Sequence, residues 1–138
     1  MVTDTVLNKV ETIERCLKRI KGTYNGEADY LKDLDKQDII LLNLQRACQA
    51  TIDLAAHICA VKRLGIPQDT KEVFHLLEIN GLISAEISKS MQGMVGFRNV
   101  AVYDYQAINL AILQSILDKH LLDFKAFTSH VLKYLRGI

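Results

Sequence analysis

Ile39-Ile40-Leu41-Leu42-Asn43-Leu44-Gln45-Arg46-Ala47-Cys48-Gln49-Ala50-Thr51-Ile52-Asp53-Leu54-Ala55-Ala56-His57-Ile58 is the stretch on which the fold turns. Most of its residues are apolar or small, and no alternation of apolar and polar residues marks it as a strand. It reads as a helix from about Lys36 to Leu64, stopped by Gly65 and Pro67. A helix that is apolar on nearly every side belongs at the centre of a bundle. One row breaks the pattern: Asn43, Arg46, Asp53 and His57, with Ala50 among them, recur at helical spacing. Such a polar stripe on a largely buried helix faces a partner subunit or lines a site.

The flanking sequence supplies the helices that this one needs around it. Val6, Val10, Ile13, Leu17 and Ile20 form one apolar stripe, with Thr3 or Asp4 as cap and Gly22 just past its end. Residues 22–36 read as a loop with a short helical turn. A short helix follows Asp69, where Glu72 completes a capping box. A fourth starts near Ser84 and carries Ile87, Met91, Met94 and Val95. A last long one spans about Ala107 to Arg136, with Leu110, Leu113, Leu117, Phe124, Val131 and Leu135 as core. The expected fold is all-α: an antiparallel helical bundle of four main helices plus a short helix, one domain over residues 1–138, forming a homodimer.

Composition narrows the function. Seventeen basic against sixteen acidic residues leave a net charge of +1, so no chain-wide basic field holds nucleic acid. Any contact with RNA or DNA must use a local patch or a composite site. Cys16, Cys48 and Cys59 are odd in number and widely spaced, which points to free thiols in a reducing cytoplasm rather than disulfides or zinc. The start has no secretory pattern, and no apolar run is long enough to span a membrane. His57, His75, His120 and His130 lack ligand spacing, so no metal is expected; no cofactor is expected either, and without a glycine-rich phosphate loop the chain does not look like a nucleotide-binding protein itself.

The chemistry-bearing segment is Phe97-Arg98-Asn99-Val100-Ala101-Val102-Tyr103-Asp104-Tyr105. It gathers an arginine, an amide, an acid and two phenols where the fourth helix should end. Arginine near a helix terminus can hold a phosphate through paired hydrogen bonds. By residue type alone, a solvated helix end is the simpler reading.

This segment resembles the signature of the HepT-type HEPN toxins: arginine, four residues, histidine, one residue, tyrosine. The resemblance extends to the helical layout, to Leu42–Ala50 ahead of Asp53, and to Leu64-Gly65-Ile66-Pro67. It implies a metal-independent endoribonuclease whose composite cleft forms where two protomers meet. It also implies a nucleotidyltransferase antitoxin that transfers AMP to the motif tyrosine. Arg98 matches the family arginine and Tyr105 the family tyrosine, while Asn99 and Asp53 are supporting candidates. Asp53 would hold Arg98 in position or, on the plainer reading, pair with Arg46 or a lysine.

The match departs from the family at one position, since Tyr103 stands where histidine is expected. A phenol, with an ordinary pKa near 10, is a poor base at neutral pH. A positioned acid–base group contributes about 10²–10⁴-fold in rate, so a weak or inactive nuclease is expected. The intact surroundings favour an inactivating change that lets a toxic protein be produced over natural loss of cleavage. A non-catalytic helical partner of a nucleotidyltransferase, or a purely structural dimer, is the alternative. The basic run Lys9, Arg15, Lys18, Arg19 and Lys21 reads as a solvated face or as an RNA-backbone contact.

Overall fold

The computed structural model describes residues 3–103 and 108–137, leaving aside the side chains of Ala28 and Tyr103. Among the described residues the chain is all-helical. The elements are α1 (Asp4–Thr23), a 3-10 turn (Ala28–Lys32), α2 (Leu34–Val61), α3 (Glu72–Ile79), α4 (Ala85–Tyr103), α5 (Leu110–Lys119) and α6 (Leu121–Leu135).

Local sequence explains the starts and stops. The Thr3 hydroxyl accepts from the Val6 amide at 3.4 Å, and the predicted stripe of α1 is buried. Asp33 caps α2 by accepting from the Asp35 and Lys36 amides, so the helix begins slightly before Lys36. It ends at Val61 rather than Leu64. Arg63 adopts φ +53°, and the Leu64 amide reaches back to the Cys59 carbonyl at 2.9 Å, the Schellman closure. Gly65, at φ +135°, then turns the chain through a conformation that side chains rarely adopt. Before α3, the Asp69 carboxylate accepts from the Lys71 and Glu72 amides, and Glu72 returns a bond to the Gln68 amide.

The last helix is two, which corrects the expectation of one span from Ala107 to Arg136. His120 ends α5 and opens α6 with φ −121° and ψ −2°, outside helical geometry. Neither proline nor glycine is present at the break. Its compensation is tertiary: Asp123 takes a bond from Ser90 of α4 on the same carboxylate oxygen, Oδ2, that faces the His120 ring.

α2 is the central helix. Lys9 of α1 meets Asp53, while Cys16 lies near Arg46, so α1 and α2 run antiparallel. Gln45 meets Ala101 and Cys48 lies near Arg98, so α4 also runs antiparallel to α2. Leu44, Leu54, Phe124 and Phe127 are fully buried, and Phe74 meets Phe127 edge-on with centroids 5.6 Å apart. Burying such a side chain stabilises the fold by about 1.5–3 kcal/mol. This packing fixes α4, and with it the motif, against the middle of α2.

Candidate functional site

α4 begins where the Ser84 hydroxyl accepts from the Ile87 amide at 3.1 Å. Met91, Met94, Val95 and Ala101 form its buried row, which continues the period on which Arg98 lies. Arg98 is therefore half-buried and directed towards α2. Its Nε is buried without a hydrogen-bond partner among the described residues. Its charge reaches the thiol of Cys48, which is itself fully enclosed. Burial pushes that thiol up to about 12, with Arg98 pulling weakly the other way. Cys48 is thus protonated at neutral pH and provides no counter-charge. Among the described residues no carboxylate pairs with Arg98.

Gln45, one helical turn before Cys48, donates from Nε2 to the Ala101 carbonyl at 3.2 Å. That bond captures a carbonyl near the end of α4 and ties the helix's last described turn to α2. Sequence reasoning assigned no role to Gln45 or Cys48. Their three-residue spacing on the stretch quoted first was the available signal, since it places both on one face of α2.

The other expected site residues separate. Asp53 accepts from Gln49 Nε2 at 2.9 Å and pairs with Lys9 Nζ at 3.3 Å. No bond links it to Arg98 among the described residues, so the lysine-paired reading describes it within the protomer. Both partners are more than a third exposed, which leaves the pair weak. Asn99 is half-buried and bonds no other described residue through its side chain. Tyr103 is the last residue of α4. Its side chain, and the whole of Tyr105, lie outside the described residues.

Beside the motif, a groove of about 1080 Å³ opens between α4, α5 and α6. Ile87, Phe97, Val100, Ile112 and Ile116 make it apolar, and Ser90, His120 and Asp123 give it one polar end. The His120 Nδ1 lies 2.9 Å from Asp123 Oδ2. A carboxylate only accepts, so Nδ1 carries a proton and Nε2 is the ring's remaining acceptor when neutral. Gly93 sits in this groove, and a Cβ added to it would meet nothing within 4 Å. Packing within one protomer therefore does not require glycine there, although glycine inside a helix costs about 1 kcal/mol relative to alanine.

Among the described residues no cluster of three or more His, Cys, Asp or Glu side chains could hold a metal ion. No helix among them is long and apolar enough to cross a membrane.

Comparison with known proteins places this geometry. A family model described as Ribonuclease HepT-like matches residues 13–131. The mRNA nuclease HepT of Shewanella oneidensis is 45% identical over 124 residues, covering 90% of this chain and 93% of that protein. A solved structure of the tri-AMPylated Shewanella oneidensis HEPN toxin in complex with its MNT antitoxin superposes with a TM-score of 0.89 at 44% identity. The match covers 95% of this chain and 98% of that one. A cytosolic Bacillus subtilis protein of unknown function shares the fold alone, with a TM-score of 0.84 at 10% identity, over 96% of this chain and 89% of that one.

Proposed function

The chain belongs to the HepT-like ribonuclease family, and from that premise we propose that it is the toxin of a toxin–antitoxin pair, a single-domain cytoplasmic RNA endonuclease whose cleft is completed by a second copy. The observation that carries this reading is Arg98: a guanidinium without a carboxylate among the described residues, set at the motif end of α4.

The reaction requires no metal. The ribose 2′-oxygen attacks the adjacent phosphorus, and its proton passes to a base. The bond from phosphorus to the 5′-oxygen breaks, and an acid protonates that oxygen. The products are a 2′,3′-cyclic phosphate and a 5′-hydroxyl. Arg98 stabilises the charge that gathers on the phosphate in the transition state. Tyr103 occupies the proton carrier's position and can donate a hydrogen bond but not take a proton well near neutral pH. This chain therefore cleaves weakly or not at all.

Two features support a homodimer. The α4 groove is largely apolar and borders the motif, and Gly93 leaves room for close approach by another helix. Buried, free Cys16, Cys48 and Cys59 suit a reducing cytoplasm.

Control is assigned to Tyr105, which receives AMP from a nucleotidyltransferase antitoxin. Phosphate added seven residues from Arg98 competes with RNA phosphate for the same charge. The tri-AMPylated state of the Shewanella toxin supports a modification of this kind on this scaffold. Tyr103 itself favours a second reading, a non-catalytic partner of the nucleotidyltransferase.

Replacing Tyr103→His and measuring RNA cleavage separates the two readings. A gain of activity supports the nuclease, and its absence leaves the binding partner. Mass spectrometry after incubation with antitoxin and ATP should show added AMP mapping to Tyr105; an unmodified Tyr105 in a competent reaction would refute that assignment.

A further inference from the structure

Away from the motif, a trough runs between α1 and α6. Its first hollow, about 290 Å³, lies over Ile13, Leu17 and Leu121, with Lys18, Lys21 and Lys125 at its rim. A second hollow, about 410 Å³, shares Lys21, Leu121 and Leu122 with the first and adds Lys119 and Tyr24. Lys119 also borders the α4 groove.

Two acids share the trough with these four lysines, Glu14 and Asp118. Asp118 is engaged, accepting from the Tyr24 hydroxyl at 2.9 Å. Lys9, Lys32 and Lys36 have carboxylate partners, but Lys18, Lys21, Lys119 and Lys125 pair with none among the described residues. Four lysines without a carboxylate partner among the described residues thus line one channel. The Tyr24 ring packs against the core and is held by its hydroxyl bond, which makes it a fixed aromatic wall. Leu122, 66% exposed, stands where the two hollows meet.

We propose that this trough is a secondary seat for single-stranded RNA, its lysines following the phosphates and Tyr24 stacking on a base. The proposal rests on the reading of the chain as an RNA-directed toxin and adds a surface that the motif does not include. Lysine without arginine supplies charge without fixed direction, which suits a backbone that need not be read in register. Aromatic side chains beside basic grooves stack unpaired bases whatever their sequence. Protein interfaces, by contrast, are depleted in lysine.

The test measures binding, so it does not depend on whether Tyr103 permits cleavage. A fluorescein-labelled twelve-nucleotide oligo(U) is titrated with the full chain, and anisotropy is followed as salt is varied. The variant Lys18→Gln/Lys21→Gln/Lys125→Gln changes only exposed side chains. It should lower the slope of log affinity against log salt by about 2, at about 0.7 per lysine for a single strand. Affinity at low salt should fall, and by the same factor for other single-stranded sequences. The control Lys62→Gln/Arg63→Gln/Arg136→Gln removes the same charge elsewhere and should leave the slope unchanged. Equal losses in both triple variants would show that only net charge matters and overturn the seat. Unchanged RNA affinity in the first variant would overturn it too, leaving the nuclease reading intact. If that variant instead lost the nucleotidyltransferase, the trough would be a protein-docking surface. If the unaltered chain bound no RNA, both the seat and the RNA-directed reading would fail.

Discussion

α2 and α4 are both long helices rich in apolar residues, yet the bundle uses them differently. α2 buries residues around most of its circumference, from Ile40 and Leu41 to Ile58 and Cys59. α4 buries one row through Met91, Met94, Val95 and Ala101 and opens its other face to a groove of about 1080 Å³. α2 also carries Gln45, which bonds the Ala101 carbonyl of α4, and Cys48, whose thiol lies near Arg98. The helix most enclosed within the protomer acts as scaffold, and the helix left half open carries Arg98.

Four measurements can break or sharpen that division. The largest effect should come at the end of α4, where Tyr103→His is expected to raise RNA cleavage by about 10²–10⁴-fold. Adding Arg98→Ala should remove most of the gain, by about 10²–10³-fold. A restored histidine that works equally well without Arg98 would deny the arginine its role. Next comes α2: Leu44→Ala, at a fully buried position, should destabilise the chain by about 2–5 kcal/mol in urea unfolding. The matching truncation on α4, Val100→Ala, should cost far less in a dilute monomer because Val100 is 39% exposed. Equal losses would mean that the two helices are not divided as described.

Gly93→Ala gives a smaller effect with an informative sign. With open space around the added methyl, it should stabilise an isolated protomer by about 0.4–1 kcal/mol. The same change should weaken self-association in sedimentation if a second copy approaches there. Unaltered self-association would move the dimer contact off this face. The smallest effect belongs to the edge of α2. A double-mutant cycle on Lys9 and Asp53 should return less than about 1 kcal/mol, since both side chains are more than a third exposed. A larger coupling, or a change in Arg98-dependent cleavage, would return Asp53 to the site.

How much of this was legible in the sequence depended on the range of the forces involved. The buried stripe of α1, the central place of α2 and the Asp69–Glu72 cap follow from spacing and local hydrogen bonding. The end of α2 moved three residues because Arg63 accepts a left-handed conformation ahead of Gly65. The break at His120 has no proline or glycine to mark it, only the i,i+3 pairing of His120 with Asp123. Asp123 also meets a serine thirty-three positions earlier in the chain, a contact that exists only after folding. The site followed the same rule. Arg98 was identifiable by its motif, but its placement near Cys48 required the tertiary structure, and so did the pairing of Asp53 with Lys9 instead of Arg98.

The enclosed thiol beside Arg98 also makes the molecule its own reporter. With its ionisation pushed up to about 12 and its sulfur sealed by packing, Cys48 should resist alkylating reagents while α2 and α4 remain together. Each transient separation of the two helices would expose it for modification. With Cys16 and Cys59 replaced by serine, the rate at which a maleimide marks Cys48 would therefore time the opening of the arginine's surroundings.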